Sequence, residues 1–238
     1  MGLWHVFYED WQMECCGTPF SVGDEVSWPL LLLDADTVLG GGWHDQLTEV
    51  AGPVEDMGGV RMVQEETGLP VALGADPDAE EDRRPEPGGR TRSAGLLSVE
   101  RHGARWPEAG GLVRAVQVLT QTWAETAPGS RSYEPVAGER RLRPADRCPK
   151  WFRETETERA ADGRGRRSRE SGVVVTLEVP GTDSRLSHAV REARGIPAAD
   201  LMALLGNLST PRRRARSAAA GWPTAPGPLA RGGPDEGR

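Results

Sequence analysis

The chain has 238 residues but only one lysine, Lys150, and only three cysteines. It has few aromatics, with eight Trp, three Phe and two Tyr making 5% of the chain. It contains no apolar run approaching the 18 residues that a membrane-spanning helix needs. Each shortage excludes something. Three cysteines, two adjacent and one far away, are too few and too uneven for a secreted disulfide scaffold. The opening Met-Gly-Leu-Trp-His-Val has neither the basic start nor the long apolar stretch of a signal peptide. Val6 also breaks the myristoylation pattern. A cytoplasmic protein with reduced thiols, and with no membrane as partner, is expected.

Several catalytic signatures are absent too. The glycine clusters at 40–42, 58–59 and 110–111 do not make a Gly-x-Gly-x-x-Gly turn between strand and helix, and there is no P-loop. A Gly-x-Ser-x-Gly elbow and a His-Glu-x-x-His pair are likewise missing. No cofactor, no metal and no catalytic residue is expected on these grounds.

What is present is unevenly distributed. Residues 1–99 carry 19 acidic and 5 basic side chains, and residues 100–238 carry 17 acidic and 24 basic, which adds to the net charge of −7. Such asymmetry marks either a nucleic-acid surface or two halves that attract one another. The acidic balance of the whole chain favours the second account. Abundant Arg, Ala, Gly and Pro beside a single Lys reads as codon bias, not as a binding device. The 37% apolar content, with 30 Gly and 19 Pro, leaves a good share of the chain for loops.

Along the chain, residues 3–8 read as a buried strand and residues 16–19 as a turn. Gly23-Asp24 is a second turn. Val26, Trp28, Leu30 and Leu32 share one face of the next strand, in which Pro29 predicts an edge or a bulge. Residues 43–56 read as a short helix or irregular loop, and 60–63 and 69–73 as short strands. Residues 75–94 read as a disordered linker, after which order resumes at Gly95. Residues 112–123 form the longest strand candidate, and 154–171 a charged, solvated loop. Val173, Val175, Leu177 and Val179 alternate as a strand. Leu186, Ala189, Val190 and Ala193 then follow a helical period, with Asp183 as N-cap, and Pro197 opens a second helix running to 206. Its composition suits packing and not base readout. Residues 207–238 read as a disordered tail.

These elements predict an α+β fold, mostly β: a small barrel-like or sandwich core with a C-terminal helical pair. Residues 1–74 and 95–206 are expected to share one core.

The densest chemistry lies in residues 9–28. Cys15 and Cys16 are adjacent, so their side chains are expected to diverge and not to share a metal ion. Cys148 and His44 would complete four ligands only on paper. A nucleophilic cysteine would need a base, and His5 and His44 are the nearest in sequence. His5 sits in an apolar strand, where a core role is expected. Glu9 and Asp10 would point to opposite faces of a strand and so make no acid/base pair. Asp24 suits a turn. Trp11, Cys15, Cys16, Asp24 and Trp151 are the candidate binding residues. The stretch 140–169, with Trp151 and Phe152, has the basic and aromatic makeup of a single-strand nucleic-acid surface, diluted by acids.

One resemblance attaches to this run. Asp10-Trp11-Gln12-Met13, Cys15-Cys16-Gly17, Pro19-Phe20, Val22-Gly23-Asp24, Val26 and Trp28 resemble the opening of an actinobacterial family defined only as a domain of unknown function. The resemblance implies a bacterial cytoplasmic protein and carries no catalytic residue. Three functions follow for test. The first is a non-catalytic binding or interaction module with a protein partner. The second is a metal- or thiol-dependent enzyme centred on Cys15, Cys16 and Cys148. The third is nucleic-acid binding through the basic C-terminal half.

Overall fold

A computed structural model describes residues 2–35, 39–40, 47–64, 68–74, 86–154 and 158–195. His44, residues 75–85, the second predicted helix and the tail lie outside the described residues. The described part is mostly β and closes into an eight-stranded barrel.

The first strand, β1 (Gly2–Glu9), is β-branched and aromatic and is buried on both faces, with Trp4, Val6, Phe7 and Tyr8 all in the core. Helix α1 (Asp10–Cys16) follows at once, and β2 (Glu25–Leu33) comes after the Gly23-Asp24 turn. Next come β3 (Thr48–Met57), β4 (Val60–Gln64), β5 (Pro70–Leu73) and β6 (Arg90–Val99). Then follow the long β7 (Glu108–Glu125), β8 (Tyr133–Ala145), the two-residue β9 (Glu158–Arg159) and β10 (Gly165–Val179). Helix α2 (Arg185–Gly195) packs beside β1.

Pairing β1–β10–β7–β2–β5–β4–β3–β6 and back to β1 completes the ring. All neighbours are antiparallel except β2–β5 and β1–β6. A further antiparallel pairing of β2 with β6 bisects the ring, so β2 and β6 belong to both lobes. β8 lies outside the ring, against β7, and β9 lies against β10.

Pro29 shows how sequence and topology meet. Before it, Glu25 to Trp28 pair with β7, and after it, Leu30 to Leu33 pair with β6. Pro29 itself still pairs with Glu108 of β7, and its missing donor falls where the pairing with β6 stops, next to the stretch of β2 whose other edge no described strand covers. The expected face holds: Trp28, Leu30 and Leu32 are buried in one cluster with Val26 packed against it. In β7 a register shift opposite Thr176/Leu177 places Val113 and Val116 in the same cluster. Leu119 joins Phe7, Leu96 and Val174 in a second cluster on the outer face, covered by Ala35 and Leu39. Gly172 sits in the β10 bulge at φ 139°, where a side chain would collide with the Tyr8 carbonyl.

The structure corrects several expectations about elements. Residues 10–16 are helical; a seven-residue helix is too short to show a period. Part of the supposed helix or loop at 43–56 is strand β3, and β6 begins at Arg90, ahead of Gly95. The charged stretch 154–171 contributes Arg166 to Glu170 to β10, paired with β7. Strand β8, half-exposed and Arg-rich, carries no apolar alternation that would reveal it. At α2 the cap shifts by one: Ser184 Oγ accepts the Ser187 N–H at 3.1 Å, while Asp183 accepts the Ser184 N–H.

Candidate functional site

One end of the barrel gathers the chemistry. α1 turns Asp10, Gln12 and Met13 inward and leaves Trp11 and Cys15, one turn apart, on its outer face. Its short length is set by Gly17, whose N–H bonds the carbonyls of Gln12 (2.9 Å) and Met13 (3.2 Å). A Cβ at Gly17 would lie 2.7 Å from both Met13 Cα and the Tyr8 hydroxyl, so only glycine lets the chain leave here.

Four anchors hold α1 to the barrel. Gln12 is buried; its amide N–H₂ donates to the Val99 carbonyl at 2.8 Å, and its oxygen accepts the Arg101 N–H at 2.7 Å. The Lys150 ammonium donates to the carbonyls of Met13 (2.7 Å) and Gly17 (3.0 Å), at the negative end of the helix. The Glu14 carboxylate accepts the Phe152 N–H at 3.0 Å. Asp10 is buried and pairs with Arg169 of β10. Glu9 ends β1 and Asp10 begins α1, so the two do not lie on opposite faces of one strand. Burial pushes the Glu9 carboxyl upward, opposed by hydrogen bonds from Trp11 and Gln12.

The clamp on residues 99–102 has a consequence for His102. Its ring lies edge-on to Trp11, centroids 5.9 Å apart, and its backbone N–H donates to Glu100 at 2.7 Å. Cys15 Sγ, Cys16 Sγ and an imidazole nitrogen of His102 all fall within 4.8 Å of one another, and all three residues are exposed. The expected divergence of adjacent cysteines does not keep them apart, because Cys16 is the last helical residue. Burial, followed by the nearby Cys15, raises the Cys16 thiol above its ordinary value, while Arg101 and Lys150 act in the opposite sense. A raised thiol is the reverse of what a nucleophile needs.

Cys148, the third thiol of the sequence argument, is elsewhere in role. It is 1% exposed, within the main core cluster, and its N–H bonds the Phe20 carbonyl at 2.8 Å. Burial pushes its thiol up to about 12. His5 is half-buried in β1 opposite Thr176. His102, eighty-six positions beyond Cys16, is the residue that sequence reasoning missed. Nothing in its surroundings signals it, since only the Gln12 clamp brings it to α1.

Beside this cluster runs an open cleft of about 370 Å³, lined by Thr18 to Phe20, Asp24 to Trp28, and Arg101. Its base is aromatic: Trp28 meets Tyr8 edge-on at 5.6 Å and Phe20 at 4.9 Å. The Tyr8 hydroxyl is buried without a hydrogen-bond partner of good geometry, and burial pushes its pKa up to about 12 although Arg101 pulls it down. Asp24 behaves as a turn residue, its carboxylate accepting the Ser21 N–H at 2.8 Å, and also faces the cleft. Trp151 is 69% exposed, next to the Lys150 anchor, and Trp11 and Val22 are 44% and 45% exposed. The fold thus places Trp11, Cys15, Cys16, Asp24 and Trp151 around one end of the barrel.

Several arginines of the basic half are paired with carboxylates. Arg143, Arg164, Arg166 and Arg167 pair with Glu170, Asp162, Glu139 and Glu154. Those four pairs lie within the C-terminal half; Arg169–Asp10 and Arg185–Glu49 are pairs that join the two halves.

A closed β-barrel with a short helix, an open cleft and a thiol–imidazole cluster at one end is the class that fold and site define. The chain belongs to the family of unknown function DUF6578, whose match spans residues 2–179. That span ends at the last residue of β10. No curated protein and no solved structure matches the chain.

Proposed function

We propose that the protein is a non-catalytic binding module of the bacterial cytoplasm, and that its ligand is an extended segment of a protein partner laid along the first half of β2. An actinobacterial source fits the opening motif and the near-exclusive use of arginine. One observation carries the binding reading. The cleft is lined by five consecutive residues, Asp24 to Trp28. A strand's face offers alternate residues to a cleft, whereas its edge offers every one. β7 pairs with Glu25 to Trp28 on one edge, and no described strand pairs with the other. An added strand would gain main-chain hydrogen bonds there. Thr18, Ser27, Asp24, Glu25 and Arg101 supply polar and charged contacts, and Val22, two residues before Asp24, is an exposed apolar side chain.

The nucleic-acid alternative has less support, because Arg143, Arg164, Arg166, Arg167 and Arg169 of the stretch 140–169 are engaged with carboxylates. The thiol-enzyme alternative is weakened by the raised Cys16 thiol and the burial of Cys148. Peptide display against the full chain, followed by calorimetric titration, tests the binding reading. Enriched segments should bind with affinity lowered about tenfold or more by Arg101→Glu, in line with the weight of interface anchors. Met57→Ala, an exposed change on the β3–β4 hairpin, should have no effect. Failure to enrich any segment, or indifference of the enriched segments to Arg101→Glu, would refute it.

A further inference from the structure

We infer that Cys15, Cys16 and His102 form a site for a thiophilic d10 cation, zinc(II), held by two thiolates and one imidazole with a fourth position open to water. The site is independent of the peptide reading above.

The geometry needs little change. Zinc–sulfur bonds of about 2.3 Å in a tetrahedron put two thiolates about 3.8 Å apart. The three ligand atoms already lie within 4.8 Å of one another, so small side-chain rotations suffice. All three residues are exposed, which leaves room for the fourth ligand. The ligand set also selects its metal. Thiolate and imidazole suit zinc and copper(I) and not magnesium or calcium, which take oxygen.

The surroundings hold the ligands in place. Gln12, three residues before Cys15 on the same helix, bonds both Val99 and Arg101 and so ties the His102 loop to the cysteines. Trp11 lies against the imidazole from the same helix. Lys150 fixes the helix end from which Cys16 projects. These are the outer contacts that orient ligands in metal sites. Two neighbouring thiolates repel one another, and a bound dication removes that penalty. On binding, each thiol loses its proton to solvent, so two protons are released and the bound ion, two thiolates and neutral imidazole sum to zero charge.

The test uses the reduced full chain, stripped of metal and titrated with zinc(II) against a chromophoric chelator in weak buffer. One equivalent should bind with release of two protons at a pH where both thiols are protonated. Cobalt(II) in place of zinc should give thiolate-to-metal charge-transfer absorption. Cys15→Ser and His102→Ala, both at exposed positions, should each weaken binding more than tenfold, at least the loss seen when outer contacts are removed. Cys148→Ala should leave binding unchanged while the chain stays folded by circular dichroism. Substoichiometric zinc, wild-type affinity in His102→Ala, a requirement for Cys148, or binding of copper(I) without zinc(II) would each overturn the assignment.

Discussion

Gln12→Leu probes the joint on which this end of the barrel depends. Leucine keeps the size and the buried position of Gln12, which is 2% exposed, but removes both hydrogen bonds. Each is worth about 1 kcal/mol net, and a buried group left unpaired costs about 1–3 kcal/mol. Arg101 is exposed, so its N–H recovers a water. The Val99 carbonyl, in a fully buried residue, cannot; the Ser98 hydroxyl at 3.5 Å is too distant to replace the amide. The expected loss is about 2–3 kcal/mol, after some offset from the added apolar burial. With a urea m-value of about 1–3 kcal/mol per molar, the unfolding midpoint falls by about 1 M with m unchanged. Tryptophan fluorescence follows the transition. Gln12→Glu separates the two bonds: it keeps the acceptor for Arg101 but sets a carboxylate against the Val99 carbonyl. Its folded-state pKa should therefore be raised, and the variant should recover stability as pH falls through that value and the protonated carboxyl donates. A loss below about 0.5 kcal/mol in Gln12→Leu, the range of an ordinary surface change, would refute the clamp.

Two further outcomes follow from the same geometry. Lys150→Met removes a charged donor from two carbonyls at the end of α1 and should cost about 1–3 kcal/mol, read by the same urea titration; no loss would mean that α1 does not depend on this cap. The chain should also lose stability as pH rises from about 9 to 12. Burial raises Cys148 and Tyr8 to about 12 in the folded state, from ordinary values of 9.0 and 10.0. Above those ordinary values the unfolded chain binds fewer protons than the native one, so stability falls with pH, by at most about 1.4 kcal/mol per pH unit per group. Cys148→Ala should flatten the lower part of this decline, and denaturation midpoints taken across the range would show it.

Much of the wall of the barrel was readable because its residues are buried on a period of two. Val26, Trp28, Leu30 and Leu32 on β2, and Val173 to Val179 on β10, must turn apolar side chains inward, and that requirement is written in alternation. The elements that escaped had no such signature. α1 is shorter than two turns. β8 is half-exposed and Arg-rich. Arg166 to Glu170 look solvated in sequence, yet they extend β10 because β7 is long enough to pair with them. Pro29 announces a missing donor in the sequence, but where that gap falls depends on a change of partner strand.

The candidate site divides in the same way. The order of residues alone makes the run from Glu9 to Trp28 the chemically dense part of the chain, makes Gly23-Asp24 a turn and sets two thiols side by side. Local constraints, such as turn geometry and covalent adjacency, are sufficient for those conclusions. Folding is what buries Cys148 in the core, sets His102 and not His5 beside the thiols, and lays the outer edge of β2 along a cleft. Those facts depend on contacts between residues eighty or more positions apart, brought about by barrel closure and the Gln12 clamp, and no local pattern encodes which distant loop a closed barrel will bring to its end.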